Sequence, residues 1–177
     1  MVSLINEVFK KARNAKRPAL LTYTVAGDNT KKKSLDILKS ISAHADICEL
    51  GFPHNTPIAD GGQIQTSAYR AIKNGIKIND VFTIAKAFKL SKKTTPIILM
   101  GYYNMIYQYD ENKFLKKCKS SKIDGLIVVD LPYPENKNFS KKYITQYLVP
   151  IINHINDSND NKLFILLNFC NITTLIK

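Results

Sequence analysis

The sequence predicts an α/β fold built on a parallel sheet with helical crossovers, and three observations carry that expectation. Short apolar runs alternate with longer amphipathic stretches along the chain, which is the pattern of βα units. The runs at 46–51, 95–100, 124–129 and 148–152 are nearly continuous in apolar residues, so both faces of the sheet should be covered. A hydrophobic content of 45% over 177 residues is enough for the core of one domain. A barrel and a doubly wound sheet both satisfy these observations.

The elements follow in order. Residues 3–14 read as an opening amphipathic helix, with an acidic residue and no small-residue cleavage site, and not as a signal peptide. Residues 19–26 form a β-branched and aromatic strand stopped by Gly27-Asp28-Asn29. Over 32–43, Leu35, Leu38 and Ile41 fall on one helical face with Ile37 beside them, while Asp36, Lys39 and Ser40 face water. A second strand at 46–51 leads into a loop at 52–61 rich in Pro, Asn, Asp and Gly. Helices follow at 62–73 and 79–91, separated by Asn74-Gly75, a C-terminal cap signal. Strands at 95–100 and 124–129 flank a helix at 113–120, and a helix near 135–146 leads to a fifth strand at 148–152. Residues 163–170 fit a helix or a strand, which periodicity alone does not decide.

Composition narrows the function classes. The longest apolar runs, such as 97–100 and 163–167, fall far short of the ~20 residues of a membrane span. Cys48, Cys118 and Cys170 have no close or metal-like spacing, so reduced thiols in the cytoplasm are expected. His44, His54 and His154 share no ligand spacing, and no metal site is expected. The net charge of +12 raises the question of nucleic acid. Only Arg13, Arg17 and Arg70 are arginines, however, and the lysines are scattered over helical segments. Solvated helix faces, without a nucleic-acid role, are the simpler reading.

Chemistry concentrates in residues 47–75. Glu49 sits in an apolar strand near its C-terminal end, where parallel α/β folds build their sites. Held in a dry mouth, its carboxyl would have a raised pKa suited to acid–base work. Paired with a lysine on a neighbouring helix, it would be structural. Asp60 closes the following loop just before Gly61-Gly62. It suits a helix N-cap, or a second carboxylate folded back over the strand end that holds Glu49. The Gly-Gly step matches neither GxGxxG nor a Walker loop.

The stretch E-L-G-x-P-x-x-x-P-x-A-D-G-x-x-I-Q, here Glu49 to Gln65, resembles the signature of tryptophan synthase α subunits. In the same order, ALLTYTVAGD (19–28), AYRA (68–71) with Gly75, PIILMGYYN (96–104) and DGLIVVDLP (124–132) resemble that family's successive blocks. The motifs cover about residues 3–150. The resemblance implies a (β/α)₈ TIM barrel, a fold of ~250 residues, here an incomplete barrel of about five to six βα units. Residues 1–177 would be one partial barrel domain with an atypical tail at 153–177.

It further implies a lyase of tryptophan biosynthesis in the cytoplasm, cleaving indole-3-glycerol phosphate to indole and glyceraldehyde 3-phosphate by a retro-aldol reaction. Glu49 and Asp60 would be catalytic. Tyr23, Leu99, Tyr102, Ile127 and Val129 would bind substrate. Pro53, Pro57, Asn104 and Pro132 would face a β subunit in an α2β2 heterotetramer. That subunit would carry pyridoxal phosphate, and this chain no cofactor. Asn55-Thr56 stands where the family has Ser-Asp, so Thr56 should weaken coupling to the β subunit. Gly62 stands where the family prefers proline and softens the loop end, and Thr22 where a proline is usual. The family's glycine-rich phosphate loops have no counterpart in these residues. A non-catalytic remnant that at most docks on the β subunit is the alternative.

Overall fold

The computed structural model describes residues 4–131 and the backbone of 164–168. The elements run α1 (Leu4–Asn14), β1 (Ala19–Val25), α2 (Lys31–Ile41), β2 (Ile47–Gly51), α3 (Gly62–Lys73), α4 (Ile78–Ser91), β3 (Ile97–Gly101), α5 (Tyr103–Tyr109), α6 (Glu111–Ser120), β4 (Gly125–Val128) and β5 (Phe164–Asn168). The strands form one sheet in the order β4-β3-β2-β1-β5, and every pairing is parallel. Residues 163–170, ambiguous in the sequence, supply β5, which pairs with the free edge of β1 from Ala19↔Phe164 to Tyr23↔Asn168. The helix at 135–146 and the strand at 148–152 lie outside the described residues.

Side-chain alternation sorts the sheet into two faces. Cys48, Leu50, Ile97, Leu99 and Leu126 point to one side, where they pack on Leu38 and Ile41 of α2, Phe82, Ala85 and Phe88 of α4, and Phe114 and Leu115 of α6. Three successive crossover helices therefore lie on the same side. A doubly wound sheet would split them, whereas a barrel keeps them outside. On the other face Leu21, Ile47 and Ile98 meet Ile5 and Ala12 of α1, which closes the N-terminal end. Tyr23 and Val25, farther along β1, meet Ala68 and Ala71 of α3. Among the described residues, the C-terminal end of this inner face forms a cleft between α3 and the loops. Among the described residues no helix is long and apolar enough to cross a membrane.

Helix α5 is the one described helix that the sequence pattern did not predict. Its first residue, Tyr103, donates its backbone N–H to Asp130 Oδ1 at 2.6 Å, and Ile106 is fully buried. Asp110, at φ 74°, ends α5 and starts α6, where its side chain accepts from the Lys113 N–H at 2.9 Å.

Two aspartates fasten the N-terminal ends of strand pairs. Asp46, before β2, accepts from the Leu20 N–H at 2.8 Å and takes a two-pronged contact from Arg17 at 2.6 and 2.8 Å. Those Arg17 hydrogen bonds hold its carboxyl below the ordinary carboxylate range. Asp124, before β4, accepts from the Ile97 N–H at 2.9 Å and from Lys89 Nζ at 2.9 Å. Lys89 is buried and also donates to the carbonyls of Lys93 and Thr95.

The two positions should therefore differ in cost. Asp124→Ala strands a buried ammonium and is expected to destabilise the fold by about 3–5 kcal/mol. Asp46→Ala frees the exposed Arg17 and the part-buried Leu20 N–H but strands no buried charge, and should cost clearly less. Urea unfolding of both variants checks the ranking.

Candidate active site

β2 is buried at every residue, and Glu49 is the one ionisable group on its inner side apart from solvent. It pairs in register with Tyr23 of β1 and Ile98 of β3. Glu49 is 1% exposed, and its Oε2 is sealed from water with no hydrogen-bond partner. It forms none of the ion pairs found among the described residues. Burial alone pushes its carboxyl up to about 7. The structural alternative of a lysine pair is thus not what these residues form.

Above Glu49 the inner face opens into a cleft lined by Tyr23, Met100, Tyr102, Val129, Asp60 and residues of the β2–α3 loop. Glu49 does not line it directly, lying one layer below. Tyr23 links the two levels, because its hydroxyl leans over Gly51, where a β-carbon would overlap it. Burial first, then the negative charges of Asp60 and Glu49, push the Tyr23 phenol up, so it stays protonated as a donor.

Asp60 is not the helix cap that one sequence reading allowed. The cap of α3 is Gly61, with no side-chain cap bond. The Asp60 carboxylate instead accepts from the Tyr102 hydroxyl at 3.2 Å, and that hydroxyl accepts from the Ala59 N–H at 3.0 Å. The backbone is tied as well: the Asp60 N–H donates to the Pro57 carbonyl at 3.0 Å, and Gln65 Nε2 donates to the Asp60 carbonyl at 2.8 Å. Burial raises the Asp60 pKa and the Tyr102 bond opposes the rise. The outer end of α3 is anchored by Arg70 and Ser67 on Asp28.

Of the predicted substrate contacts, Tyr23, Tyr102 and Val129 line the cleft. Ile127 shares the inner face, as the register partner of Met100, but packs with the cluster under α1. Leu99 is a correction. It is fully buried against the helices on the outer face, because strand side chains alternate and Leu99 pairs with Leu50, not with Glu49. Met100, which sequence reasoning missed, takes the position in the cleft.

Among the predicted partner-facing residues, Asn104 is exposed on α5 and Pro57 half-buried. Pro53 is a second correction, being buried in the cleft wall. The outward surface of its loop is formed by Asn55, Thr56 and Ile58, the last 83% exposed. Pro132 lies outside the described residues. His54, also missed, lines the cleft. No group of three or more His, Cys, Asp or Glu among the described residues could hold a metal ion.

A singly wound parallel sheet with helices outside and a buried carboxyl under its C-terminal mouth defines a barrel protein of the TIM type. The family described as tryptophan synthase alpha chain matches residues 9–167. That match carries the likeness through most of β5, past the stretch covered by the motifs. A tryptophan synthase alpha chain of Pelagibacter ubique (strain HTCC1062) is 74% identical over 141 residues, 80% of this chain and 53% of the relative. One of Pyrococcus furiosus is 45% identical over 123 residues, 70% and 49% respectively.

Among solved structures, the α subunit of Legionella pneumophila str. Paris superposes with a TM-score of 0.81 at 26% identity, covering 97% of this chain and 70% of that one. A structure of the Pyrococcus furiosus tryptophan synthase α2β2 complex gives 0.72 at 41% identity, covering 76% and 55%. The chain belongs to the tryptophan synthase α chain family, a family of tryptophan biosynthesis. It spans about half the length of the curated relatives it matches.

The Glu49 carboxyl makes stability depend on pH. With a folded value near 7 against an ordinary 4.5, the folded chain holds a proton that the unfolded chain releases. Stability is full below about pH 4.5 and declines as pH rises through 7. Glu49→Gln removes this decline. Relative to wild type, the variant should gain roughly 2–3 kcal/mol between about pH 4 and pH 8, read from denaturation curves at the two pH values.

Proposed function

We propose that this chain carries the lyase chemistry of its family, the retro-aldol cleavage of indole-3-glycerol phosphate to indole and glyceraldehyde 3-phosphate. The observation that supports it most is the buried, unpartnered Glu49 carboxyl near neutrality beneath a cleft that holds Asp60. A carboxyl poised near 7 is protonated often enough to give a proton and basic enough to take one. Glu49 would donate its proton to C3 of the indole ring and then, as the carboxylate, accept the proton of the side-chain hydroxyl. The bond between C3 and the side-chain carbon breaks as the carbonyl of the aldehyde forms. Its electron pair restores the indole, and Glu49 ends protonated as it began.

Asp60, whose ionised form the Tyr102 hydrogen bond favours, would receive the indole N–H as positive charge grows on that nitrogen. Tyr23, Met100, Tyr102 and Val129 would flank the ring. Family proteins hold no cofactor of their own, and pyridoxal phosphate belongs to the β subunit. Pairing with that subunit in a cytoplasmic α2β2 assembly belongs to the same proposal, with Asn104, Pro57, Ile58 and the neighbouring loop surface as the docking side. The alternative is a second reading, a chain that docks on the β subunit without turnover.

An assay of indole release, with and without β subunit, separates the readings. Turnover should be present, should fall by about 10²–10⁴-fold in Glu49→Gln, and should fall by about 10²–10³-fold in Asp60→Asn. Near-normal turnover in Glu49→Gln would refute its role. Binding to β subunit without indole release would favour the second reading.

A further inference from the structure

His54 lies in the loop between β2 and α3 and has no part in the chemistry proposed for Glu49 and Asp60. Its imidazole packs on the phenol ring of Tyr102, with centroids 5.1 Å apart and planes inclined by 32°. Its Nδ1 is sealed from water and has no hydrogen-bond partner. The ring is therefore held in the cleft wall by face contact and not by a bond from that nitrogen, although a buried polar atom without a partner costs free energy.

What the contact steadies is the phenol that serves Asp60. The Tyr102 hydroxyl meets two groups of one loop, accepting from the Ala59 N–H at 3.0 Å and donating to Asp60 Oδ2 at 3.2 Å. An O–H···O bond of that length lies beyond the usual ~2.7–2.8 Å, so a small swing of the ring ends it. His54 occupies one flank of the ring and restricts the swing.

We propose that His54 is a positioning residue for Asp60, acting through the ring of Tyr102. The functional meaning rests on the reading of Asp60 as the acceptor of a ligand N–H, but the contact itself is testable without turnover. Its action is one of shape. Phenylalanine should replace histidine here, and a side chain without a ring should not.

The carboxyl titration of Asp60, followed by NMR in protein labelled with [γ-¹³C]aspartate, reads the contact directly. The Tyr102 bond favours the ionised form, so its loss in Tyr102→Phe should raise the Asp60 midpoint. His54→Ala should raise it in the same direction, and His54→Phe should restore the wild-type midpoint. Where turnover is measurable, kcat/KM should fall roughly 5–10-fold in His54→Ala, the size of one ordinary hydrogen bond, and recover in His54→Phe. His54→Leu serves as the ringless variant if the alanine chain does not fold. An unmoved midpoint in the ringless variant would overturn the proposal, as would a His54→Phe midpoint displaced as far as that of His54→Ala. Absence of indole release in every variant would count against the proposed activity and leave the titration to decide the role of His54.

Discussion

A carboxyl group with an oxygen that meets neither water nor a donor is among the costlier things a fold can enclose, and Glu49 is such a group. Its neighbours explain why the charge is suppressed and not compensated. Leu50 and Cys48 turn outward to the helices, Ile98 lies beside it in register, and Tyr23 covers it toward the cleft with a phenol that fits only because residue 51 is glycine. None of these offers a cation. The environment raises the carboxyl to about 7, so that a large share of it is protonated near neutral pH, the state an acid catalyst needs at rest.

The surrounding architecture keeps that pocket dry and still. α1 closes the inner face from below and α3 walls its open end. The aspartates ahead of β2 and β4 tie each strand to its predecessor, at the end opposite to the cleft. Stability is thus concentrated at the N-terminal ends of the strands and polar chemistry at the C-terminal ends, the division of labour expected of parallel barrels. Asp60 differs from Glu49 in being only half-buried and in having a donor. Burial raises both carboxyl groups of the mouth, and only for Asp60 does a hydrogen-bond donor oppose the rise.

Much of this was legible in the residues. The alternation of apolar and amphipathic runs located β1 to β4 and the helices between them other than α5. The residues alone left Glu49 and Asp60 open to structural roles, and the resemblance of Glu49–Gln65 to the family signature singled out both carboxylates. The face of β3 was not legible. In 95–100 nearly every residue is apolar, because both sides of the strand are buried. No polar alternation marks which side meets the cleft, and only the pairing with β2 distinguishes Met100 from Leu99. Helix α5 escaped for a different reason: its start depends on Asp130, distant in sequence. His54 reads in isolation as an unremarkable loop histidine. Its contact with Tyr102 exists only once the β2–α3 loop folds back over β3.

The central claim is that burial raises the Glu49 carboxyl to the neutral range. The most direct measurement is a ¹³C NMR titration of protein labelled at the glutamate side-chain carboxyl, with the Glu49 resonance identified by its absence in Glu49→Gln. A midpoint near 7 is the result this account predicts. A midpoint at the ordinary value near 4.5, with the carboxylate fully ionised at neutral pH, would contradict it.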